Sequence, residues 1–145
     1  MSKWDNYIKE VTAVVNRTDY LYEKWSKHQN VNSCVSKIMY MLRSADMTTQ
    51  KEMAECYGMP KQTVNTVISE LHKKEYIQLI PDENDKRSKI IKLTDKGEKY
   101  ADEIVTPLLD CEKKVLAEMG EERVKMMIDT MKQYADLLEK TMREY

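Results

Sequence analysis

Glycine and proline each occur only three times in this 145-residue chain, and phenylalanine is absent. So few turn-formers exclude an all-β fold, which needs a turn roughly every 8–12 residues. They also leave no glycine-rich loop to cradle a nucleotide phosphate. No apolar run approaches the roughly 18 residues of a membrane span. The opening MSKWDNYIKE lacks the apolar core of a signal peptide. Cytoplasmic residence without a membrane partner is the expectation. The three cysteines (Cys34, Cys56 and Cys111) are an odd number with no CxxC spacing, so neither a disulfide framework nor a zinc site follows. His28 and His72 have no ligand types at metal spacing, and no cofactor is expected. A His–Cys nucleophilic pair has no local signature here, so no catalytic activity is expected. Cys34 and Cys111, on apolar helix faces, read as buried core thiols.

What is present is charge and helical periodicity. Charged residues make up 34% of the chain and hydrophobic ones 41%, enough for a real core. The net charge of −1 is uneven: residues 1–46 carry +2, residues 47–99 carry +1 and residues 100–145 carry −4. A near-neutral total normally weakens a nucleic-acid reading. The acidic excess, however, is confined to the last third, which leaves room for a basic face elsewhere.

Trp4, Ile8, Val11, Val15, Thr18, Tyr22 and Trp25 alternate at spacings of four and three, with Val14 and Leu21 widening the stripe. That is one long helix with a seam of 3.5-residue period, suited either to its own core or to another chain. A second helix follows Asn30–Asn32, with Val35, Ile38, Met39 and Leu42 inward, and ends near Ser44–Asp46. Thr49-Gln50-Lys51-Glu52 has the form of a capping box. Met53, Ala54 and Tyr57 form the inner face of the short helix it opens. Gly58 ends that helix in the left-handed conformation, and Pro60 suits the first turn of the next one. Val64, Val67, Ile68 and Leu71 then recur at i, i+3, i+4, i+7. Two short helices across a tight glycine-containing turn make a helix-turn-helix.

Strands at residues 76–80 and 89–93 follow, joined by the charged tip Pro81–Ser88 as a β-hairpin. Thr94 caps a further helix. Two long helices close the chain. One carries Ile104, Val105, Leu108, Leu109, Val115 and Leu116, with a kink expected at Pro107. The other carries Val124, Met127, Met131, Tyr134, Leu138, Thr141 and Tyr145 at heptad-like spacing. The expected order is α-α-α-α-β-β-α-α, the helix that Thr94 caps being the first of the two long ones.

The run MTTQKEMAECYGMPKQTVNTVISELHKKEYIQLIPDENDKRSKIIKLTDKG resembles the winged helix-turn-helix domain of MarR-type transcriptional regulators. Its sharpest part is Asp85-x-Arg87-x5-Leu93-Thr94-x-x-Gly97, the wing-to-helix pattern of that family. The resemblance implies a mainly α fold with a small β-hairpin wing. Residues 31–97 would be the winged helix-turn-helix domain, and residues 1–30 and 98–145 a helical dimerisation region. It implies a homodimeric repressor that binds a pseudo-palindromic double-stranded DNA operator and responds to a small aromatic or anionic effector. Two departures stand out. Pro60 occupies a position where the family often has a capping serine, and the wing carries only Lys86-Arg87 where many members have more arginines.

On that reading Lys61, Gln62, Thr63, Asn65 and Thr66 meet base edges in the major groove. Gln and Asn suit adenine, and Lys suits guanine acceptors. No acid precedes Glu70 in that helix. Thr48, Thr49 and Lys51 approach phosphates, with the amides of the helix start as further donors. Lys86, Arg87 and Ser88 form the wing contact, Arg87 reaching phosphate or minor groove, while Asp85 orients Arg87 or the turn. Asn16, Tyr20 and Arg43 are the candidate effector lining, the arginine being suited to a carboxylate. The rival reading is a winged-helix protein-interaction module that has lost DNA binding.

Overall fold

In a computed structural model, which describes residues 2–44 and 48–145, the chain forms seven helices and a two-stranded antiparallel sheet among the described residues. They run in the order α1 (Lys3–His28), α2 (Ser33–Ser44), α3 (Gln50–Tyr57), α4 (Lys61–Lys73), β1 (Ile77–Pro81), β2 (Lys89–Leu93), α5 (Asp95–Ile104), α6 (Thr106–Met119) and α7 (Glu121–Met142). The mainly helical fold with a hairpin wing is therefore present. Part of the expected end of the second helix, at Asp46, and the Met47 start of the matching run lie outside the described residues.

Two compact units divide at Thr106 and Pro107. Within a single chain α1 packs on α2, and α5 packs on α2 and β2. Both therefore belong with the winged part of the chain.

The core of the first unit lies where α2, α3, α4, β1, β2 and α5 meet. Ile38, Met39, Met53, Val64, Ile68, Ile77 and Ile91 are sealed there. All four apolar positions expected on α4 are buried, as i, i+3, i+4, i+7 spacing requires of a helix with one inward stripe. The inner face of α2 is Ile38, Met39 and Met41, with Val35 and Leu42 only half-buried. The face is thus rotated slightly from the expected one. Tyr57 does not join the core: it is 40% exposed, with the Lys37 ammonium 5.7 Å from its ring centre.

Gly58 adopts φ +57, and its amide donates to Ala54 O, closing α3 as expected. Pro60 stands one position earlier than expected, at the N-cap of α4 with extended backbone and no side-chain cap. The hairpin pairs Ile77 with Leu93 and Pro81 with Lys89, so β1 starts one residue later than expected. Tyr76 instead carries the link out of α4.

At the kink expected near Pro107 the helix is interrupted by one residue, Val105, which keeps helical backbone and whose amide donates to Ala101 O at 2.8 Å. α5 ends at Ile104 and α6 begins at Thr106. Proline has no N–H to continue the ladder.

In the second unit α6 and α7 present Val115, Leu116, Met131, Tyr134 and Leu138 to solvent, while Val124 and Met127 are half-buried. α1 likewise exposes Trp4, Ile8, Val11, Val15 and Tyr22, with only Trp25 of its seam half-buried. The core-thiol expectation fails for the same reason. Cys111 lies exposed on α6, and Cys34 is half-buried on the first turns of α2.

Candidate nucleic-acid interface

The helix-turn-helix is assembled from local signals. Thr49 Oγ1 accepts the Glu52 amide, and Glu52 Oε2 accepts both the Thr49 amide (2.9 Å) and the Thr49 hydroxyl (3.0 Å). The same carboxylate oxygen takes the Thr48 amide at 3.0 Å. These donors hold the Glu52 carboxyl below its usual range, the Thr48 amide contributing most, then the Thr49 hydroxyl and the Thr49 amide. The Thr48 carbonyl in turn accepts the Ile91 amide at 2.7 Å, which hangs the start of α3 on strand β2. The Thr48 and Thr49 amides are thus engaged by an internal carboxylate. Lys51 remains exposed beside them.

On α4 the buried stripe turns the opposite face outward. Lys61, Gln62, Asn65 and Thr66 are exposed, and Thr63 is half-buried. Gln62 and Asn65 share a face by i, i+3 spacing. Thr66 sits on that face too, its hydroxyl donating to Gln62 O at 2.9 Å. The stripe continues into exposed Ser69 and Lys73, which were not among the expected residues. Extending the i, i+4 rule from Asn65 would have found both.

Two side-chain-to-backbone turns shape the wing tip. Asp82 Oδ1 accepts the Asn84 amide, and Asp85 Oδ1 accepts the Arg87 amide, both at 2.9 Å. The Asp85 carbonyl takes the Ser88 amide. Asp85 therefore orders the turn through backbone, as local Asx turns do. Lys86 and Arg87 point away exposed, and Ser88 is half-buried.

Behind the wing, the Thr94-x-x-Gly97 signature has a steric cause. Thr94 Oγ1 accepts the Gly97 amide and donates to Glu75 O at 2.6 Å. A Cβ on Gly97 would fall 1.8 Å from Tyr76 O, so only glycine lets α5 approach this closely.

The expected effector lining does not assemble. Arg43 is already bound through Nη1 to Glu98 Oε2 (2.8 Å) and through Nη2 to Asp102 Oδ1 (2.7 Å). Asn16 and Tyr20 stand exposed on α1. Among the described residues no cluster of His, Cys, Asp or Glu is arranged to hold a metal, and no helix is long and apolar enough to cross a membrane.

Comparison with known proteins matches this geometry. Residues 38–88 match the MarR family. Over nearly its whole length the chain is similar to the structure of NMB1585, a MarR family regulator from Neisseria meningitidis. The identity is 27%, each chain is covered to 99%, and the TM-score is 0.80. The chain has the winged-helix fold of MarR family regulators.

A MarR/EmrR family regulator from an Acinetobacter species shares the fold (18% identity, 97% of this chain and 99% of that one, TM-score 0.71). An uncharacterised HTH-type regulator of Bacillus subtilis is 33% identical over 85 residues. That similarity spans 59% of this chain and 61% of the Bacillus protein. The family is one of transcriptional regulators, not enzymes.

Proposed function

We propose that this protein is a homodimeric regulator that binds double-stranded DNA sequence-specifically. α4 would lie in the major groove, and the wing would lie against the backbone or minor groove. One observation carries the reading: the leading turns of α4 bury Val64, Val67 and Ile68 while offering Lys61, Gln62, Asn65 and Thr66 outward, with no acid before Glu70. A helix of that kind presents base-reading groups where a groove can receive them. Arg87, exposed on a turn that Asp85 orders, is suited to phosphate or minor groove.

Dimerisation is supported by the exposed apolar faces of α1 and α7. Trp4 is 63% exposed and Met131 likewise 63%, far more than a monomer's surface usually tolerates over such length. A second copy of the chain would cover them. The two α4 helices of such a dimer would read two half-sites about one helical turn apart. A small aromatic or anionic effector gains no support from the structure, because Glu98 and Asp102 neutralise Arg43.

Selection of duplexes from a random pool by the purified protein tests this, followed by a salt series on the selected and scrambled sequences. Asn65→Ala should cost roughly 1–3 kcal/mol on the selected site and relax its sequence preference. Arg87→Ala should weaken all duplexes alike and lower the salt slope by about one per protomer. Binding that shows no salt dependence, or no binding to any duplex, would instead favour a winged-helix interaction module. Light scattering should give about twice the chain mass of 17.2 kDa.

A further inference from the structure

α4 ends in an unusual corner. The Tyr76 amide donates to Leu71 O and the Glu75 amide to His72 O, both at 2.9 Å, the pairing of a Schellman turn. The residue in the left-handed position is Glu75, at φ +62, where glycine is the usual occupant. A side chain there is strained, and such strain persists only where surrounding contacts over-determine it.

Besides His72 Nδ1, 3.1 Å from Ile77 O, the contacts come from the start of α5. Thr94 Oγ1 donates to Glu75 O at 2.6 Å, and the Thr94 amide donates to Tyr76 O at 3.1 Å. Lys96 Nζ donates to Lys74 O at 2.8 Å, so a cation sits on the C-terminal carbonyls of α4, where the helix dipole favours it. The same ammonium lies 3.8 Å from the Glu75 carboxylate and 5.2 Å from the centre of the Tyr76 ring. On the other side Tyr100 stacks on Tyr76, ring centres 4.4 Å apart and planes within 10°. The Tyr100 phenol is pushed above its usual range by burial first, then by Tyr76 and Glu103.

The capped Gly97 amide and the missing Cβ explain why α5 can come so close. They do not explain the stack or the lysine, which add a grip on the one corner joining the proposed reading helix to the proposed wing.

We infer that Lys96 and Tyr100 are positioning residues for DNA recognition: they hold the Lys74–Tyr76 corner so that α4 and the hairpin are presented at one fixed angle. This rests on the DNA-binding reading above. Neither residue need touch DNA, and their effect is on the match between two contact surfaces. Loss of the grip should therefore lower affinity for the selected site, where both surfaces must fit together. Scrambled duplexes, held mainly through phosphates, should be little affected.

The test uses the full-length protein with Tyr100→Phe, Tyr100→Ala and Lys96→Met. The ratio of affinities for selected and scrambled duplexes should fall about three- to tenfold in Tyr100→Ala, the range expected of an aromatic pair. It should stay at the wild-type value in Tyr100→Phe, which keeps the stack. Lys96→Met, which keeps the stem but not the donor, should lower the ratio by a smaller factor and serves if Tyr100→Ala does not fold. The scrambled-duplex affinity and the salt slope should not move. A role in stability alone would lower the melting temperature and leave the ratio intact, and that result would overturn the inference.

Hydrogen exchange without DNA supplies an independent reading. The Glu75, Tyr76 and Thr94 amides should exchange faster in Tyr100→Ala and Lys96→Met, while those of α1 are unchanged. If the wild type binds no duplex, the DNA reading fails, and unchanged exchange at the corner would sink the clamp as well. If the wild type binds selectively and the variants keep its ratio, only the clamp fails.

Discussion

Replacing Gly97 with alanine sets two physical effects against each other, and the structure says which wins. In a helix interior alanine is favoured over glycine by up to about 1 kcal/mol. Against that, the added methyl would sit 1.8 Å from Tyr76 O, 2.8 Å from the Tyr76 carbonyl carbon and 3.2 Å from Leu93 Cδ2. Carbon and oxygen in weak contact rest about 3.3 Å apart, so α5 and the Tyr76 peptide must separate by roughly 1.5 Å. The Thr94 amide cannot keep its 3.1 Å bond to Tyr76 O through such a shift. That loss costs about 1 kcal/mol, and the forced movement in a packed region costs about 1–3 kcal/mol. The balance is a destabilisation of roughly 2 kcal/mol, with the propensity gain already deducted. Urea unfolding at one fixed protomer concentration reads it as a lower midpoint with unchanged slope. Gly58→Ala is the control. No atom lies within 4 Å of its Cβ position, so only the strain of φ +57 is felt, about 1–2 kcal/mol. A Gly97→Ala midpoint at or above the wild-type value would refute the steric account of the Leu93-Thr94-x-x-Gly97 signature.

Thr49→Ala removes the N-cap acceptor of α3 and should cost about 1 kcal/mol in the same unfolding assay, with no loss indicating that Glu52 alone suffices. Glu52 is ionised more readily in the folded chain than in the unfolded one. The stability it contributes is therefore present above the usual carboxylate range and lost as pH falls through its lowered folded-state value. Melting temperatures taken from about pH 6 down to about pH 3 should fall more steeply for the wild type than for Glu52→Gln, and equal slopes would remove Glu52 from the acid response. Arg43→Met should lower stability by no more than about 1 kcal/mol, because its two ion pairs are largely solvated, and the difference should shrink in high salt. A loss several times larger would mean that the α2–α5 junction depends on this arginine for more than charge.

The parts of the molecule legible in the sequence are those whose causes lie within a few residues of one another. The Thr49–Glu52 box, the left-handed Gly58 and the four buried positions of α4 each follow from spacings of three or four, and all stand where expected. The outward face of α4 was legible for the same reason. Spacing of i, i+4 from Asn65 carries that exposed face on to Ser69 and Lys73.

Failures begin where the deciding partner is far along the chain. Arg43 reads as a free cation until Glu98 and Asp102, 55 and 59 residues away, are folded against it. Cys111 reads as core because apolar spacing says that a face is covered without saying by what; the same spacing leaves the α1 seam open between its own core and another chain, and within one chain both faces are uncovered.

Gly97 lies between these cases. The pattern marks it, but its reason is a carbonyl 21 residues earlier, brought there by a turn with a glutamate in the left-handed position. A sequence rule would have placed glycine at 75 to relieve that strain. The chain instead places glycine at 97 and lets α5 close in, so a corner that local preference would leave loose is held by an element from beyond the wing. Local rules can name the two helices and the hairpin, but the angle between them is decided by contacts that exist only after they have packed.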